Sequence, residues 1–244
     1  MRRYGLIGYP LSHSFSQKYF TEKFRREGIT DCVYENFPLE TIDEFAALIQ
    51  SQPGLNGLNV TIPYKEKVIP FLSAQSNVVK SIGACNCIRI ENGMLTGHNT
   101  DVVGFEESLR PLLQPHHRKA LVLGTGGAAK AVHYVLDKLG IAFYEVSRTP
   151  GNARQLSYQQ VDETVIQEHE VIINTSPLGM YPNVNECPAL PYQALTPKHY
   201  LFDLVYNPDK TLFLQKGEEQ GAAIKNGHDM LIIQAEESWR IWSM

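Results

Sequence analysis

Apolar positions along the chain follow two different periods. Short, nearly unbroken apolar runs, "RYGLIGYP" at 3–10, "CVYENFPL" at 32–39 and "LNGLNVTI" at 55–62, have the length and composition of buried strands. Between them the period lengthens. "SQKYFTEKFRREGI" places Tyr19, Phe20 and Phe24 on one helical face, and "TIDEFAALIQ" does the same with Ile42, Phe45, Leu48 and Ile49. After Pro63 a polar turn leads Lys65 into a predicted short helix start. "ACNCIRIENGMLTGHNTD" holds two strand-like runs around Glu91-Asn92-Gly93, and Asn-Gly between such runs signals a hairpin. Antiparallel strands are therefore expected within an otherwise parallel sheet.

From Asp101 the alternation becomes more regular. "DVVGFEESLRPLLQ" predicts an amphipathic helix, and the apolar strand "ALVLGTGG" runs directly into the helix "AAKAVHYVLDKLG", stopped by a glycine. "AFYEVSRT" supplies the next strand. The segment at 150–170 is weaker and predicts a shortened crossover before the strand "VIINTS". A strand "YLFDLVYNP", a helix "KTLFLQKGEEQGA" and a final amphipathic helix "GHDMLIIQAEESWRIW" follow. The boundary at 101–104 has no Pro/Gly/Ser-rich linker, so two domains joined by helices are expected, with a cleft as the natural ligand site.

Composition narrows the class. The chain has 244 residues, 43% hydrophobic and 20% charged, the balance of a globular protein with one large or two modest domains. No apolar run approaches the roughly 18 residues of a membrane span. The stretch "MRRYGLIGYPLSHS" is unlike a signal peptide, so a cytoplasmic location is the expectation. With a net charge of −4 and no basic cluster beyond "HHRK" at 116–119, nucleic-acid binding lacks electrostatic support. Cys85 and Cys87, two apart, would share a face on a strand. No second Cys or His pair at ligand spacing accompanies them, so reduced core thiols and no metal are expected.

The candidate chemistry begins at "LVLGTGGAAKAV". Gly124, Gly126 and Gly127, with Ala129 in the place of a further glycine, permit a tight turn and let backbone N–H groups at a helix start approach a pyrophosphate. A packing-driven tight turn is the alternative. An NAD site wants an acid about 20 residues on, whereas NADP wants cations. Here the next strand tip reads Ser147-Arg148-Thr149, with Arg154 beyond, and Glu145 lies two residues inside the strand. NADP is favoured over the alternative of Arg148 as a plain surface arginine.

Nine motifs now stand in order: "HSFSQ", "NVTIPYK", "GACNC", "NTDVVGF", "GTGGAAKA", "SRT", "NTSPLGM", "FDLVYNP" and "NGHDMLIIQAEESW". From Tyr4 to Trp242 the chain resembles shikimate dehydrogenases. The resemblance implies reversible reduction of 3-dehydroshikimate to shikimate by NADPH in aromatic amino acid biosynthesis. It implies an α/β fold: an N-terminal three-layer α/β substrate domain with a mainly parallel sheet, residues 1–102 completed by a terminal helix at 227–244, and a Rossmann-like NADP-binding domain at 103–226. By position, Ser14 and Ser16 would hold the substrate carboxylate, and Asn59, Thr61, Asn86, Tyr206 and Gln234 the ring hydroxyls. Lys65 and Asp101 match the catalytic pair. Gly124, Gly126, Gly127, Ala128, Ser147, Arg148, Thr149, Thr175 and Gly227 fall on the cofactor motifs. A monomer or homodimer acting on a small molecule, without nucleic acid, membrane or metal, is the corresponding expectation. The chain departs from the family at Gln17, where proline is usual, at Cys87, where threonine is common, and at Ser147, where asparagine usually opens the Arg-Thr element.

Ketone reduction needs a hydride donor and a proton source beside the developing alkoxide, and a lysine ammonium suits the second role. At an electropositive helix start Lys65 would have its pKa lowered, with a carboxylate such as Asp101 opposing that shift. Asp101 also suits a helix N-cap, a role Thr100 shares. His13 and His98 read as wall residues, Trp239 and Trp242 as docking residues of the last helix, and Met180 and Met230 as either nicotinamide-pocket or core residues. Three rivals remain: a quinate or quinate/shikimate dehydrogenase using NAD, a ligand sensor without turnover, and a methylenetetrahydrofolate dehydrogenase-like enzyme, which would not explain "HSFS" or Gln234.

Overall fold

The first apolar run forms β1 (Arg2–Gly8), followed by α1 (Phe15–Arg26), β2 (Cys32–Pro38), α2 (Glu44–Ser51) and β3 (Leu55–Val60). Then come β4 (Ala74–Gln75), α3 (Asn77–Ile82), β5 (Cys87–Glu91) and β6 (Met94–His98). The coordinates are a computed structural model that describes residues 1–11 and 14–244, so His13 lies outside the described residues. The chain divides into two units, Met1–Thr100 with Ala235–Met244, and Asp101–Gln234.

The sheet of the first unit has the order β2-β1-β3-β5-β6-β4. Strand β1 pairs in parallel with β2 and β3, β5 is antiparallel to β3 and β6, and β4 runs parallel to β6. The expected mixture of directions is present. Its source is the β5–β6 hairpin, where Asn92 (φ 50°) and Gly93 (φ 76°) both take the left-handed backbone that a tight two-residue hairpin requires.

Both faces of this sheet are covered, which makes three layers. Ile7, Leu58 and Val60 pack with Phe45 of α2 on one face, while Tyr4, Leu6 and Tyr34 pack on the other with Phe20 and Phe24 of α1 and with Ala235, Ile241 and Trp242 near the C-terminus. Trp242 docks as the spacing of the last helix predicts: its ring stacks on Tyr4 at 4.9 Å and its Nε1 donates to the Ile88 carbonyl at 3.0 Å. Lys23 of α1 is buried, its ammonium donating to Glu236 at 2.7 Å and Glu27 at 2.9 Å.

Two local expectations fail here. Residues 65–68 form turns leading to a short 3₁₀ segment, Ile69–Phe71, so no α-helix starts at Lys65 and no helix dipole acts on it. The apolar residues of 68–72 satisfy a 3.6-residue pattern locally, but only one helical bond closes, Val68 N–H to the Tyr64 carbonyl at 2.9 Å, and Pro70, which has no N–H to donate, cannot extend it. Cys85 and Cys87 do not share a face. Strand β5 begins only at Cys87, so the two-residue parity does not reach Cys85, which joins the α2-side core while Cys87 joins the α1-side core. Both are free thiols and fully buried.

The second unit contains α4 (Asp101–Leu109), β7 (Lys119–Leu123), α5 (Gly127–Leu139), β8 (Ala142–Ser147), β9 (Gln155–Ser157) and α6 (Glu163–Glu168). It continues with β10 (Val171–Asn174), β11 (Tyr200–Asp203), α7 (Leu212–Glu219), β12 (Ala223–Lys225) and α8 (His228–Trp242), the last of which ends in the first unit. The sheet is parallel throughout, in the order β12-β11-β10-β7-β8-β9. This is the doubly wound dinucleotide-fold order, and the strand order reverses between β7 and β10. The weak segment at 150–170 is the shortened crossover, reduced to β9, a 3₁₀ turn and the six-residue α6. The three-residue β12, like β4 and α3, is too short to carry a periodic signal and went unpredicted.

Two turns of the form x-Pro-x-His precede β7 and β11. In each, the first residue's N–H donates to Nδ1 of the histidine: Gln114 to His117 at 2.9 Å, and Thr196 to His199 at 3.0 Å. Each histidine then offers Nε2 to a carbonyl, His117 to Lys198 and His199 to Ile166, both at 3.0 Å. Both rings are buried and in the neutral Nε2–H form, because a proton on Nδ1 would face an N–H. Burial lowers the His117 pKa from its ordinary value.

A histidine whose folded pKa is depressed binds fewer protons folded than unfolded, so its stabilising contribution is present above the unfolded value, about 6.5, and is lost as pH falls below it. Acidification from pH 7 to pH 5 is expected to lower the thermal midpoint of the parent more than that of His117→Asn. At pH 8 the variant should itself melt about 2–4 °C lower, for one lost hydrogen bond of about 1 kcal/mol. Thermal melts followed by circular dichroism from pH 5 to pH 8 test this, and parallel pH profiles for the two proteins would remove His117 from the effect.

Candidate active site

In the first unit the predicted site residues gather where β1 and β3 end and β5 begins. Ser14 caps α1, its Oγ accepting the Gln17 N–H at 3.3 Å, which leaves its O–H free to donate. Ser16 lies two residues on, in the first turn of α1, and is half-buried. Gln17, in the place of the usual proline, ties α1 to β2 by accepting from Asn36 at 2.9 Å. Thr61 follows β3, its backbone N–H donating to the Ile7 carbonyl at 2.9 Å. Lys65 is half-buried in the turn after it, where its carbonyl receives the Cys85 N–H at 2.7 Å.

Asn59 and Asn86 are almost fully buried, and their amides are committed in a definite sense. Asn59 accepts from the Tyr34 hydroxyl at 2.8 Å and donates to Ser238 Oγ at 2.9 Å and to the Asn86 carbonyl at 3.3 Å. Asn86 accepts the Thr100 N–H at 2.6 Å and donates to Thr100 Oγ1 at 3.0 Å. A primary amide has two N–H groups and two lone pairs. Asn59 therefore keeps one lone pair for a ligand, and Asn86 keeps one N–H. An acceptor beside a donor suits a sugar-like hydroxyl pair. His98, beside them on β6, is half-buried, and burial lowers its pKa.

Tyr34, Thr100 and Ser238 were not identified from the sequence as site residues. Ser238 carried a legible signal: it sits on the inward face of the last helix, three residues from Ala235 and three from Ile241, where an apolar residue is expected.

In the second unit, Asp101 is the first residue of α4 and is buried. One turn on, Gly104 lets α8 pack so closely that a Cβ there would lie 2.6 Å from the Met230 carbonyl and 3.1 Å from Cβ of Gln234. Gln234 thus stands on the helix packed against the one that Asp101 begins, its Nε2 donating to the Leu231 carbonyl at 2.9 Å. Met230 is buried on the same helix, whereas Met180 is exposed.

The glycine turn occupies the C-terminal end of β7, at the reversal of strand order. Gly124 has φ 111°, and a Cβ there would meet Thr175 Oγ1 at 2.9 Å. Thr175 in turn donates to the Leu123 carbonyl at 2.9 Å, bracing the turn from β10. Gly126 occupies the N-cap of α5 with no side-chain cap, and a Cβ on Gly126 or Gly127 would meet nothing within 4 Å. The start of α5 is therefore uncrowded at both glycines and uncapped by a side chain, the form of an anion-receptive end.

At the neighbouring tip, Ser147 Oγ accepts the Thr149 N–H at 3.2 Å, and Arg148 and Thr149 are exposed. Glu145 is turned elsewhere, receiving Gln155 Nε2 at 2.6 Å and lying 3.1 Å from His133 Nε2. Tyr206 is exposed on the loop after β11, and Gly227 packs against the chain leaving that strand, its N–H donating to the Val205 carbonyl at 3.2 Å. Beneath these loops Asp203 is fully buried, held by Thr211 at 2.5 Å and by Asn174 and the Val205 N–H at 3.0 Å each. Burial nonetheless pushes its pKa up to about 6.

Comparison with known proteins agrees with this arrangement. Residues 6–88 match the family described as shikimate dehydrogenase substrate binding domain. The NADP(+) shikimate dehydrogenase of Carboxydothermus hydrogenoformans is 37% identical, across 98% of this chain and 90% of that protein. Among solved structures, the shikimate 5-dehydrogenase of Thermus thermophilus, in complex with NADP(H) and shikimate, superposes with a TM-score of 0.87 at 28% identity, covering 100% of this chain and 94% of that one. The quinate dehydrogenase of Corynebacterium glutamicum, in complex with NAD, superposes with a TM-score of 0.88 at 26% identity, covering 99% and 93%. Similarity of this extent, over nearly the whole chain, places it in the shikimate dehydrogenase family.

Proposed function

We propose that this protein catalyses the reversible NADPH-dependent reduction of 3-dehydroshikimate to shikimate, as a cytoplasmic monomer or homodimer. The observation that carries the reading is the polar set at one end of the first sheet, where hydroxyl donors at the start of α1 adjoin one amide acceptor and one amide donor. That is a receptor for a carboxylate and a polyol ring. Ser14 and Ser16 hold the carboxylate. Asn59, Thr61, Asn86, Gln234 and Tyr206 are the proposed ligands of the ring hydroxyls.

The cofactor residues fit NADP(H). The uncapped start of α5 suits a pyrophosphate, Arg148 and Thr149 suit a 2′-phosphate, and the one acid nearby, Glu145, is engaged with Gln155 and His133. When bound, NADPH supplies the hydride. The remaining chemistry belongs to the chain. As the carbonyl oxygen gains negative charge, the Lys65 ammonium donates a proton to it, and in the oxidative direction the neutral amine accepts the hydroxyl proton. The Asp101 carboxylate is its partner in the exchange.

A spectrophotometric assay with shikimate or quinate, each with NADP⁺ or NAD⁺, is expected to give reduction of NADP⁺ by shikimate as the dominant activity. Dominant quinate or NAD⁺ activity would point to the broader dehydrogenase group, and no activity in any combination would point to a sensor. Lys65→Ala should leave the KM for shikimate nearly unchanged and lower kcat by about 10²-fold or more. Near-normal turnover in that variant would remove Lys65 from the chemistry. Arg148→Ala should raise the KM for NADPH by about tenfold or more while that for NADH moves little; equal weakening would argue against a 2′-phosphate contact.

A further inference from the structure

A helix interior does not call for serine, which forms helix less readily than alanine. Ser238 nevertheless stands on the inward face of α8, wholly buried among Ala235, Ile241 and Trp242. A buried hydroxyl is unfavourable unless it is hydrogen-bonded. Its Oγ accepts from Asn59 Nδ2 at 2.9 Å and lies 3.2 Å from Thr100 Oγ1.

Those two contacts join what would otherwise be separate pairs. On one side Asn59 is held by Tyr34. On the other, Thr100 is held by Asn86 through both its N–H and its hydroxyl. The result is one buried sequence of hydrogen bonds, Tyr34–Asn59–Ser238–Thr100–Asn86, with every side chain in the first unit. Its far end anchors the backbone of Thr100, the residue bonded to Asp101.

We propose that Ser238 is a positioning residue for the substrate site, acting through Asn59 and Thr100 and touching no ligand itself. An asparagine amide presents a donor or an acceptor to a ligand according to which way it is turned. Tyr34 supplies a hydroxyl that can either donate or accept, so it does not select one sense. The Asn86 carbonyl does, because it can only accept: it takes one Nδ2 hydrogen, Ser238 Oγ takes the other, and Oδ1 is left as the ligand-facing atom. The same hydroxyl, next to Thr100, steadies the partner that holds Asn86 in the opposite sense. Ser238 thereby steadies the acceptor-then-donor order that a hydroxylated ring meets. This rests on the reading of Asn59 and Asn86 as substrate ligands.

Steady-state kinetics on the full-length enzyme tests it. Ser238→Ala is expected to raise the KM for shikimate about tenfold, to leave the KM for NADP⁺ within about twofold, and to lower kcat only modestly. Tyr34→Phe, which removes the tether at the other end of Asn59, should show the same split and serves if the serine variant folds poorly. Ser108→Ala removes another buried hydroxyl, one with no hydrogen-bond partner, and should change neither KM. Asn86→Ala measured alongside separates the two ways of failing. If it raises the KM for shikimate while Ser238→Ala and Tyr34→Phe do not, the positioning role falls and the ligand assignment stands. If Asn86→Ala leaves that KM unchanged, the ligand assignment falls and the proposal with it. Equal rises in both KM values for Ser238→Ala would reduce the residue to a general structural role.

Discussion

A polar side chain sealed inside a protein must satisfy its hydrogen bonds there, and the first unit is organised around that requirement. Asn59 sits on a strand whose neighbours are mostly apolar, and little of its surface reaches water. It is tolerable only because Tyr34, Ser238 and the Asn86 carbonyl surround it. Those partners come from β2, from the last helix and from the segment before β5, three places far apart in sequence. Satisfying one amide thus fixes the register of three elements, and the atoms left over are the ones a ligand can use. Structure and recognition are here the same set of hydrogen bonds viewed from two sides.

The second unit obeys a different constraint. A wholly parallel sheet cannot be closed by hairpins, so each pair of strands is joined by a crossover, and the order must reverse somewhere. The reversal lies between β7 and β10, and the glycine turn and Thr175 flank it. Without Cβ atoms at Gly126 and Gly127 the start of α5 stays open, and no side chain at its N-cap caps it. The loops beyond β10 and β11 are tied below by Asp203, a carboxylate buried at a cost visible in its raised pKa. Its bonds to Thr211, Asn174 and the Val205 N–H keep both loop roots in place. Rigid roots under open loops are what a dinucleotide site needs.

Most of the fold was legible in the chain because its elements are long and strongly patterned. The hairpin at Asn92-Gly93, the strand–glycine–helix unit at 120–140 and the closing helix all stand where period and turn chemistry put them. The failures are local and instructive. Lys65 follows an apolar run and precedes another, yet only one helical bond closes before Pro70 and the segment stays in turns. Cys85 and Cys87 obey strand parity only if both lie on the strand, and the strand starts at the second. Elements of two to six residues, β4, α3 and β12, hold too few side chains for a period to show.

The candidate site divides in the same way. The sequence by itself determined which residues are candidates for the chemistry: the serines at the start of α1, Lys65, Asp101, the glycine turn and the Ser147-Arg148-Thr149 tip, because residue type and order along the chain are all that those assignments use. Only the tertiary structure decided which atoms remain available. That Asn59 offers a lone pair and Asn86 an N–H, that Glu145 is occupied by Gln155 and His133, and that a serine near the C-terminus completes the first sheet's polar set follow from partners up to 179 residues apart. Hydrogen-bond capacity is a local property, legible in a residue's name. Its use is decided by whatever folding brings alongside.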